Sequence, residues 1–187
     1  MEVNKFVLLG AGITLVIAIA GRNPIRNGVE AVTNTSDFEK WDYLLKKHAR
    51  SYGVSWRYLK YIILNESSNG NAKSVLRGLA VPSDVEGSKS SDGKSWGLMQ
   101  ITLPTAKALA GRSVSAVELN NPDFNVALSA KLMKELVLRY GVNNREKIFR
   151  DYNGGPKMGP MTLAYWAKTL ANREIVLKKQ PGNELEF

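Results

Sequence analysis

The chain has 187 residues, of which 44% are hydrophobic, so it can build one packed domain and does not belong to the disordered class. It contains no cysteine, which excludes disulfides and thiolate metal sites. Its net charge of +9 suits an anionic partner such as nucleic acid, anionic lipid or an acidic cell wall, or merely a solvated basic surface. Because the charges form no single basic stripe, we expect no nucleic-acid partner.

The N-terminal residues 6–21 are almost wholly apolar. A helix that crosses a bilayer needs about 17–25 such residues, so this run is at the lower limit of a span. Its end, Ala-Ile-Ala before Gly21, also fits the cleavage site of a secretory signal. We predict a membrane anchor over residues 1–21, with a cleaved signal peptide as the alternative. A buried core helix is the least favoured reading because the segment is apolar all round.

A polar linker is predicted over residues 22–36, which contain the turn-forming pairs Asn-Pro and Asn-Gly. The domain then begins at residue 37. Ser36 or Asp37 is the predicted cap of a first helix that runs to about Arg50 and is ended by Gly53.

A second helix is predicted from its cap at Ser55 to Glu66. Its apolar residues recur at helical spacing: Tyr58, Leu59, Ile62 and Ile63. The segment from Asn69 to Ser95 is rich in Gly, Ser and Asp, and we predict a long loop there, with room for a small hairpin.

The second half of the chain predicts more helices. Thr102 caps a third helix with Pro104 in its first turn. Further helices are predicted over residues 122–140, 145–150 and 162–178. The domain therefore spans residues 37–179 and is mainly helical with at most a minor β element, and the tail from residue 180 to 187 has no pattern.

Glu66 is the strongest candidate for chemistry. A carboxylic acid can donate a proton at neutral pH only if its pKa is raised, and burial against apolar groups raises it. Ile62 and Ile63 precede Glu66 by about one turn, and a helix C-terminus adds a partial negative field that also favours the protonated form. A lone Glu is usually a surface residue, so this hypothesis depends on the motifs that follow.

No convincing second carboxylate accompanies it. Asp84, Glu86 and Asp92 lie in the polar loop, where solvated surface charge is the better interpretation, and a structural role fits Asp151. The nucleophile must then come from the substrate or from a positioned water. His48, the only histidine, has no nearby Cys, Asp or Glu at the sequence spacing of metal ligands. We therefore expect no metal and no cofactor.

Four motifs follow one another in a characteristic order: Glu66-Ser67; Ser91 with the Gly-Leu-Met-Gln-Ile run of residues 97–101; the Asn-Asn-Pro-Asp-Phe-Asn run of residues 120–125; and the Tyr-Asn-Gly-Gly run of residues 152–155. Together with a closing helix they resemble the catalytic domain of soluble lytic transglycosylases and their goose-type lysozyme relatives. The resemblance covers about residues 41–177 and implies a single lysozyme-like domain of the mainly α (α+β) class.

The resemblance also implies an activity. In that family the Glu of the Glu-Ser pair, here Glu66, protonates the glycosidic oxygen between N-acetylmuramic acid and N-acetylglucosamine in peptidoglycan. The same Glu then deprotonates the muramic acid 6-hydroxyl, which attacks the anomeric carbon and leaves a 1,6-anhydro end. The alternatives are a hydrolase of the same fold that uses water, and a non-catalytic protein that binds the wall during assembly.

The family's groove implies further site residues. Gln100 would line the sugar groove and Tyr152 would lie beside the acid. The other predicted substrate-contacting or supporting residues are Ser91, Trp96, Met99, Asn125 and Tyr165.

The chain departs from the family pattern in three places. The stretch between Ser67 and Ser91 is longer than usual, Trp96 stands where a small or polar residue is common, and Asp151 replaces the usual Ala. These differences concern the sugar subsites more than the reaction.

The predicted setting is a membrane-anchored enzyme that faces the periplasm or cell wall. Its expected partners are peptidoglycan glycan strands and, through residues 6–21, a membrane. A small single domain with its own anchor suits a phage enzyme for genome delivery or lysis, carried in a virion. It also suits a bacterial enzyme that opens the wall locally beside a secretion complex.

Overall fold

The computed structural model describes residues 36–186. The predicted anchor and all but the last residue of the predicted linker lie outside these residues. None of the described helices is long and apolar enough to cross a bilayer.

The described residues form eight helices and one two-stranded hairpin. In chain order the elements are α1 (Asp42–Tyr52), α2 (Trp56–Ser67), α3 (Lys73–Ala80), β1 (Ser95–Trp96), β2 (Ile101–Thr102), α4 (Leu103–Ala110), α5 (Ala116–Leu119), α6 (Pro122–Tyr140), α7 (Arg145–Gly154) and α8 (Pro160–Lys179). The strands are antiparallel, with Trp96 opposite Ile101. The prediction of a mainly helical domain with a minor β element is confirmed.

Helix α2 is the centre of the core. Ten of its twelve residues are buried, and it packs against α1, α6 and α8. Most of its buried residues are apolar, and both cations that it buries are paired: Lys60 with Asp42 and Arg57 with Glu186, each at 2.8 Å. Because α2 is enclosed, its C-terminal end has a fixed position, and Glu66 is the penultimate residue of that end.

Helix α6 has the predicted boundaries, and its caps explain why. The Asn121 side chain accepts a hydrogen bond from the Phe124 N–H at 3.1 Å, Pro122 occupies the first turn, and Gly141 follows the last residue. The predicted cap of α4 is also present, since the Thr102 hydroxyl accepts from the Thr105 N–H.

The long loop predicted over residues 69–95 is wrong in part, because α3 lies inside it and the hairpin begins only at Ser95. Tertiary packing holds α3 in place: a Cβ at Gly78 would lie 2.6 Å from Oδ1 of Asn120. The short helix α5 was not predicted, α1 begins at Asp42 rather than near residue 37, and α7 continues past residue 150 to Gly154.

The tail after residue 180 packs against α2 although it has no regular pattern. The Ser55 hydroxyl donates to the Glu184 carbonyl oxygen. The Tyr61 hydroxyl donates to Oε1 of Glu184 at 3.1 Å, and Nη1 of Arg57 donates to Oε2 of Glu186 at 2.8 Å. These contacts make the tail part of the packing around the core helix.

Candidate active site

A cleft of about 530 Å³ opens where α2 ends. Its walls come from the segment before β1, from β2 and α4, and from the end of α7. Its lining includes Glu66, Ser91, Asp92, Gln100, Thr105, Asp151, Tyr152 and Asn153. Most of these side chains can donate or accept hydrogen bonds, so the cleft suits a hydroxyl-rich ligand.

Glu66 is half-buried at this cleft. Burial raises its pKa from the ordinary value of 4.5 to about 7. The hydrogen bond from Tyr165 and the charge of Lys168 lower the pKa, whereas the charge of Asp92 raises it. At neutral pH both protonation states are therefore populated, as a group that must both give and take a proton requires.

One face of α8 holds the end of α2. The Tyr165 hydroxyl donates to Oε1 of Glu66 at 2.7 Å. The preceding residue, Asn65, is held by three more side chains on the same face: Lys168 on its carbonyl oxygen, and Thr169 and Asn172 on its amide group, both at 2.7 Å. The four positions follow the i, i+3, i+4, i+7 spacing of a single helix face.

Tyr152 lies in the last turn of α7, beside Glu66. Its hydroxyl donates to the Met99 carbonyl oxygen at 3.1 Å and lies 2.9 Å from the Ser129 hydroxyl. Burial and the neighbouring Glu66 carboxyl raise the pKa of Tyr152, and the same two causes raise the pKa of Tyr165. Both phenols therefore stay neutral at working pH.

Asn125, on α6, clamps the turn between the two strands. Its amide nitrogen donates to the Trp96 carbonyl oxygen at 3.0 Å, and its Oδ1 accepts from the Met99 N–H at 2.8 Å. The turn passes so close to α5 that a Cβ on Gly97 would lie 2.2 Å from the Leu119 carbonyl oxygen. Gly97 also has a φ of 76°, so the position requires glycine.

Gln100 closes this turn in an unusual backbone conformation. Its φ is 50°, which is uncommon for a residue with a side chain. Its side-chain amide donates to the Gly97 carbonyl oxygen at 2.8 Å. Left-handed backbone at non-glycine residues concentrates at functional sites, and Gln100 does line the cleft.

The structure places the predicted site residues in two groups. The cleft is lined by Glu66, Ser91, Gln100 and Tyr152. The residues that lie behind it are Trp96, Met99, Asn125 and Tyr165, all of them buried.

The expected groove position of Trp96 therefore needs correction. Its exposed fraction is only 6%, because β1 turns its ring into the core. Met99 and Asn125 are fully buried, so they support the turn and do not reach a ligand in the cleft. Tyr165 reaches the site through Glu66.

Two carboxylates that the sequence interpretation set aside also line the cleft. Asp92 is exposed, and hydrogen bonds from Ser90 and from the Lys94 N–H lower its pKa. Asp151 is buried against α6. The sequence signal that could have placed them at the cleft is that Asp92 follows Ser91 and Asp151 precedes Tyr152, two predicted site residues. Within residues 36–186, no group of three or more His, Asp or Glu side chains could hold a metal ion.

Comparison with known families agrees with this geometry. Residues 43–171 match the family described as the transglycosylase SLT domain. The chain belongs to this family. Its members are lytic transglycosylases that act on the glycan strands of peptidoglycan, so the predicted family and lysozyme-like fold are confirmed. The chain matches none of the curated proteins with which it was compared.

Proposed function

We propose that the domain cleaves the β-1,4 bond between N-acetylmuramic acid and N-acetylglucosamine and leaves a 1,6-anhydro end, with Glu66 as both acid and base. The observation that carries this proposal is the position, the burial and the raised pKa of Glu66. It is a half-buried carboxyl group at the cleft, with a pKa near 7. Tyr165 fixes its Oε1, and Oε2 has no hydrogen-bond partner within residues 36–186, so Oε2 is available to the substrate.

The proposed reaction balances without water. The Glu66 carboxyl gives its proton to the glycosidic oxygen as the bond from that oxygen to C1 breaks, and the N-acetylglucosamine chain leaves with a hydroxyl. The Glu66 carboxylate then removes the proton from the muramic acid 6-hydroxyl while its oxygen bonds to C1. Glu66 ends protonated, ready for another turnover.

Asp92, the exposed carboxylate at the rim of the cleft, is poorly placed to act as a nucleophile. Both oxygens of Asp92 are engaged in its own turn: Oδ1 by the Ser90 hydroxyl and the Lys94 N–H, and Oδ2 by the Ser95 hydroxyl at 3.3 Å. This arrangement favours the substrate's own hydroxyl as nucleophile. We propose that the sugars are bound by Gln100, Tyr152 and Ser91. The site is supported from behind the cleft by Trp96, Met99, Asn125 and Tyr165.

The products distinguish this reaction from its alternatives. Purified sacculi are incubated with the protein, and the released muropeptides are analysed by mass spectrometry. Transglycosylation predicts anhydro ends, lighter by one water than the reducing ends that a hydrolase with an activated water would release. Binding to sacculi without any release would support a non-catalytic wall-binding protein.

For the setting, we propose a membrane tether through residues 6–21, with the domain facing the periplasm or cell wall. Support comes from the apolar N-terminal segment and the net charge of +9, which suits anionic lipid and wall polymers. Such a protein would open the wall locally, for phage genome delivery or lysis or beside a secretion complex, with virion or secretion proteins as partners. The mass of the protein in a membrane fraction tests this: loss of residues 1–20 would contradict the tether.

A further inference from the structure

Asp151 is a cleft carboxylate that the proposed reaction does not use. It stands on α7, directly before Tyr152, at the position where the family pattern has Ala. It lines the cleft, yet its side chain is only 6% exposed. A carboxylate is seldom buried to this extent unless its oxygens have partners.

The hydrogen-bond donors that contact Asp151 all bind the same carboxylate oxygen. Nη1 of Arg139 and the hydroxyl of Tyr140 both donate to Oδ2 at 2.8 Å. Oδ1 accepts no hydrogen bond within residues 36–186, and it is not among the atoms there that are sealed from solvent without a partner. Oδ1 therefore has no partner among these residues and keeps some contact with solvent, on a residue that lines the cleft.

We propose that Asp151 is a substrate-binding residue whose Oδ1 accepts a hydrogen bond from a sugar in the cleft. The donor is a neutral group, a hydroxyl or an acetamido N–H, because Arg139 already balances the charge of the carboxylate. Arg139 and Tyr140 fix the direction of Oδ1 before substrate arrives, which reduces the entropy cost of binding. This inference rests on the proposed function, since it takes the glycan strand as the occupant of the cleft.

A purely structural role would make Asp151 only a link between α6 and α7. Stability measurements cannot separate the two roles. Arg139 is half-exposed and Tyr140 is partly exposed, so both can turn to water when Asp151 is replaced. The Michaelis constant for glycan can separate them, because only a substrate contact changes it while turnover at saturation stays constant.

Asp151→Asn is the sharpest variant. Arg139 and Tyr140 will hold the amide oxygen, so the amide NH₂ takes the place of Oδ1 and opposes the donor of the sugar. The expected result is a KM for soluble glycan strands that rises about tenfold to a hundredfold. We expect kcat to change by less than about twofold, because the lost contact stabilises the bound substrate and the transition state equally.

Two further variants complete the experiment. Asp151→Ala, the residue of the family pattern, removes the acceptor without adding a donor, so its KM should rise less than that of Asp151→Asn. Glu146→Gln is the matched control: Glu146 is another α7 carboxylate paired with an arginine, Arg150 at 2.7 Å, and it does not line the cleft. Its KM should equal that of the unchanged protein.

The outcomes separate this inference from the proposed function. A raised KM in both Asp151 variants, with circular-dichroism melting curves close to that of the unchanged protein, supports the inference. A KM that stays the same in both variants while glycan is cleaved overturns it and leaves the proposed function intact. If the unchanged protein cleaves no glycan, the proposed function fails and this inference fails with it.

Discussion

Two walls around Glu66 shift its pKa in opposite directions. The α8 wall lies behind the cleft and consists of Tyr165, Lys168, Thr169 and Asn172; within it, Tyr165 lowers the pKa of Glu66 through a hydrogen bond and Lys168 lowers it through its positive charge. The rim, residues 90–95, raises it through the exposed carboxylate of Asp92. Burial at the end of α2 raises the pKa more than any single neighbour changes it. The raised pKa of Glu66 therefore comes mainly from burial in the core, while the two walls make smaller corrections to it.

The walls also differ in how they are held. The α8 wall packs along α2 and α7 and fixes both Glu66 and the residue before it. The rim is held by short-range bonds, such as the Ser95 N–H to the Ser90 hydroxyl at 3.1 Å. We therefore expect changes in the α8 wall to alter position and pKa together, and changes in the rim to alter pKa alone.

Tyr165→Phe should have the largest effect of the wall variants. The loss of its hydrogen bond releases Oε1 of Glu66, and misplacement of a catalytic group can cost about a hundredfold in kcat. Glu66 must be protonated to act as the acid, so activity falls as pH rises through about 7. Because the lost bond lowered the pKa, that decline should move to higher pH. The measurement is kcat against pH on soluble glycan strands.

Tyr61→Phe is the control for this variant. Tyr61 is also buried and also donates to a carboxylate, Glu184 at 3.1 Å, but away from the cleft. Its pH profile should match that of the unchanged protein. A Tyr165→Phe profile that coincided with that of the control would show that α8 does not position the acid.

Lys168→Met should have an intermediate effect. Its charge lowers the pKa of Glu66, so the alkaline decline should again move to higher pH. The side chain is exposed, so the loss in kcat should be no more than about fivefold. Lys178→Met, an exposed lysine in the last turn of the same helix, should leave the profile in place. A shift to lower pH in Lys168→Met would contradict the assigned sign.

Asp92→Asn should have the smallest effect, with the opposite sign. Removal of a carboxylate that raises the pKa of Glu66 should move the decline to lower pH, with kcat within about twofold. Because Asp92 is exposed, the shift should shrink as salt is added. Glu86→Gln, a change in the segment just before the rim, should not shift the profile. A large loss of kcat in Asp92→Asn would instead indicate a direct part in the chemistry.

The sequence could predict elements whose signals are local. Helix α6 has its cap at Asn121, Pro122 in its first turn and Gly141 after its end, all visible in the chain. The apolar run of α2 placed Glu66 at the end of a buried helix. Helix α3 could not be predicted, because Gly78 weakens its helical pattern and the packing of that glycine against Asn120 is a tertiary contact.

The candidate site was predictable only in part for a similar reason. The family motifs indicate Glu66, Ser91, Gln100 and Tyr152, and these residues do meet at one cleft. The sequence shows that Trp96 adjoins the glycine turn and so predicts a position in the groove, but both residues of β1 are buried and Trp96 lies in the core. The hydrogen bonds from α8 to Asn65 join residues about a hundred positions apart, and no local pattern encodes them.

The most direct test of the account is Glu66→Gln on purified sacculi, with released muropeptides counted by mass spectrometry. The folded protein holds the Glu66 proton more tightly than the unfolded chain does, so ionisation of Glu66 costs stability as pH rises above about 4.5. The account predicts that the amount of muropeptide released by Glu66→Gln falls at least a hundredfold. Because Gln does not ionise, the variant avoids this cost, and its Tm at pH 8 should equal or exceed that of the unchanged protein. Release near that of the unchanged protein from a folded Glu66→Gln variant would contradict it.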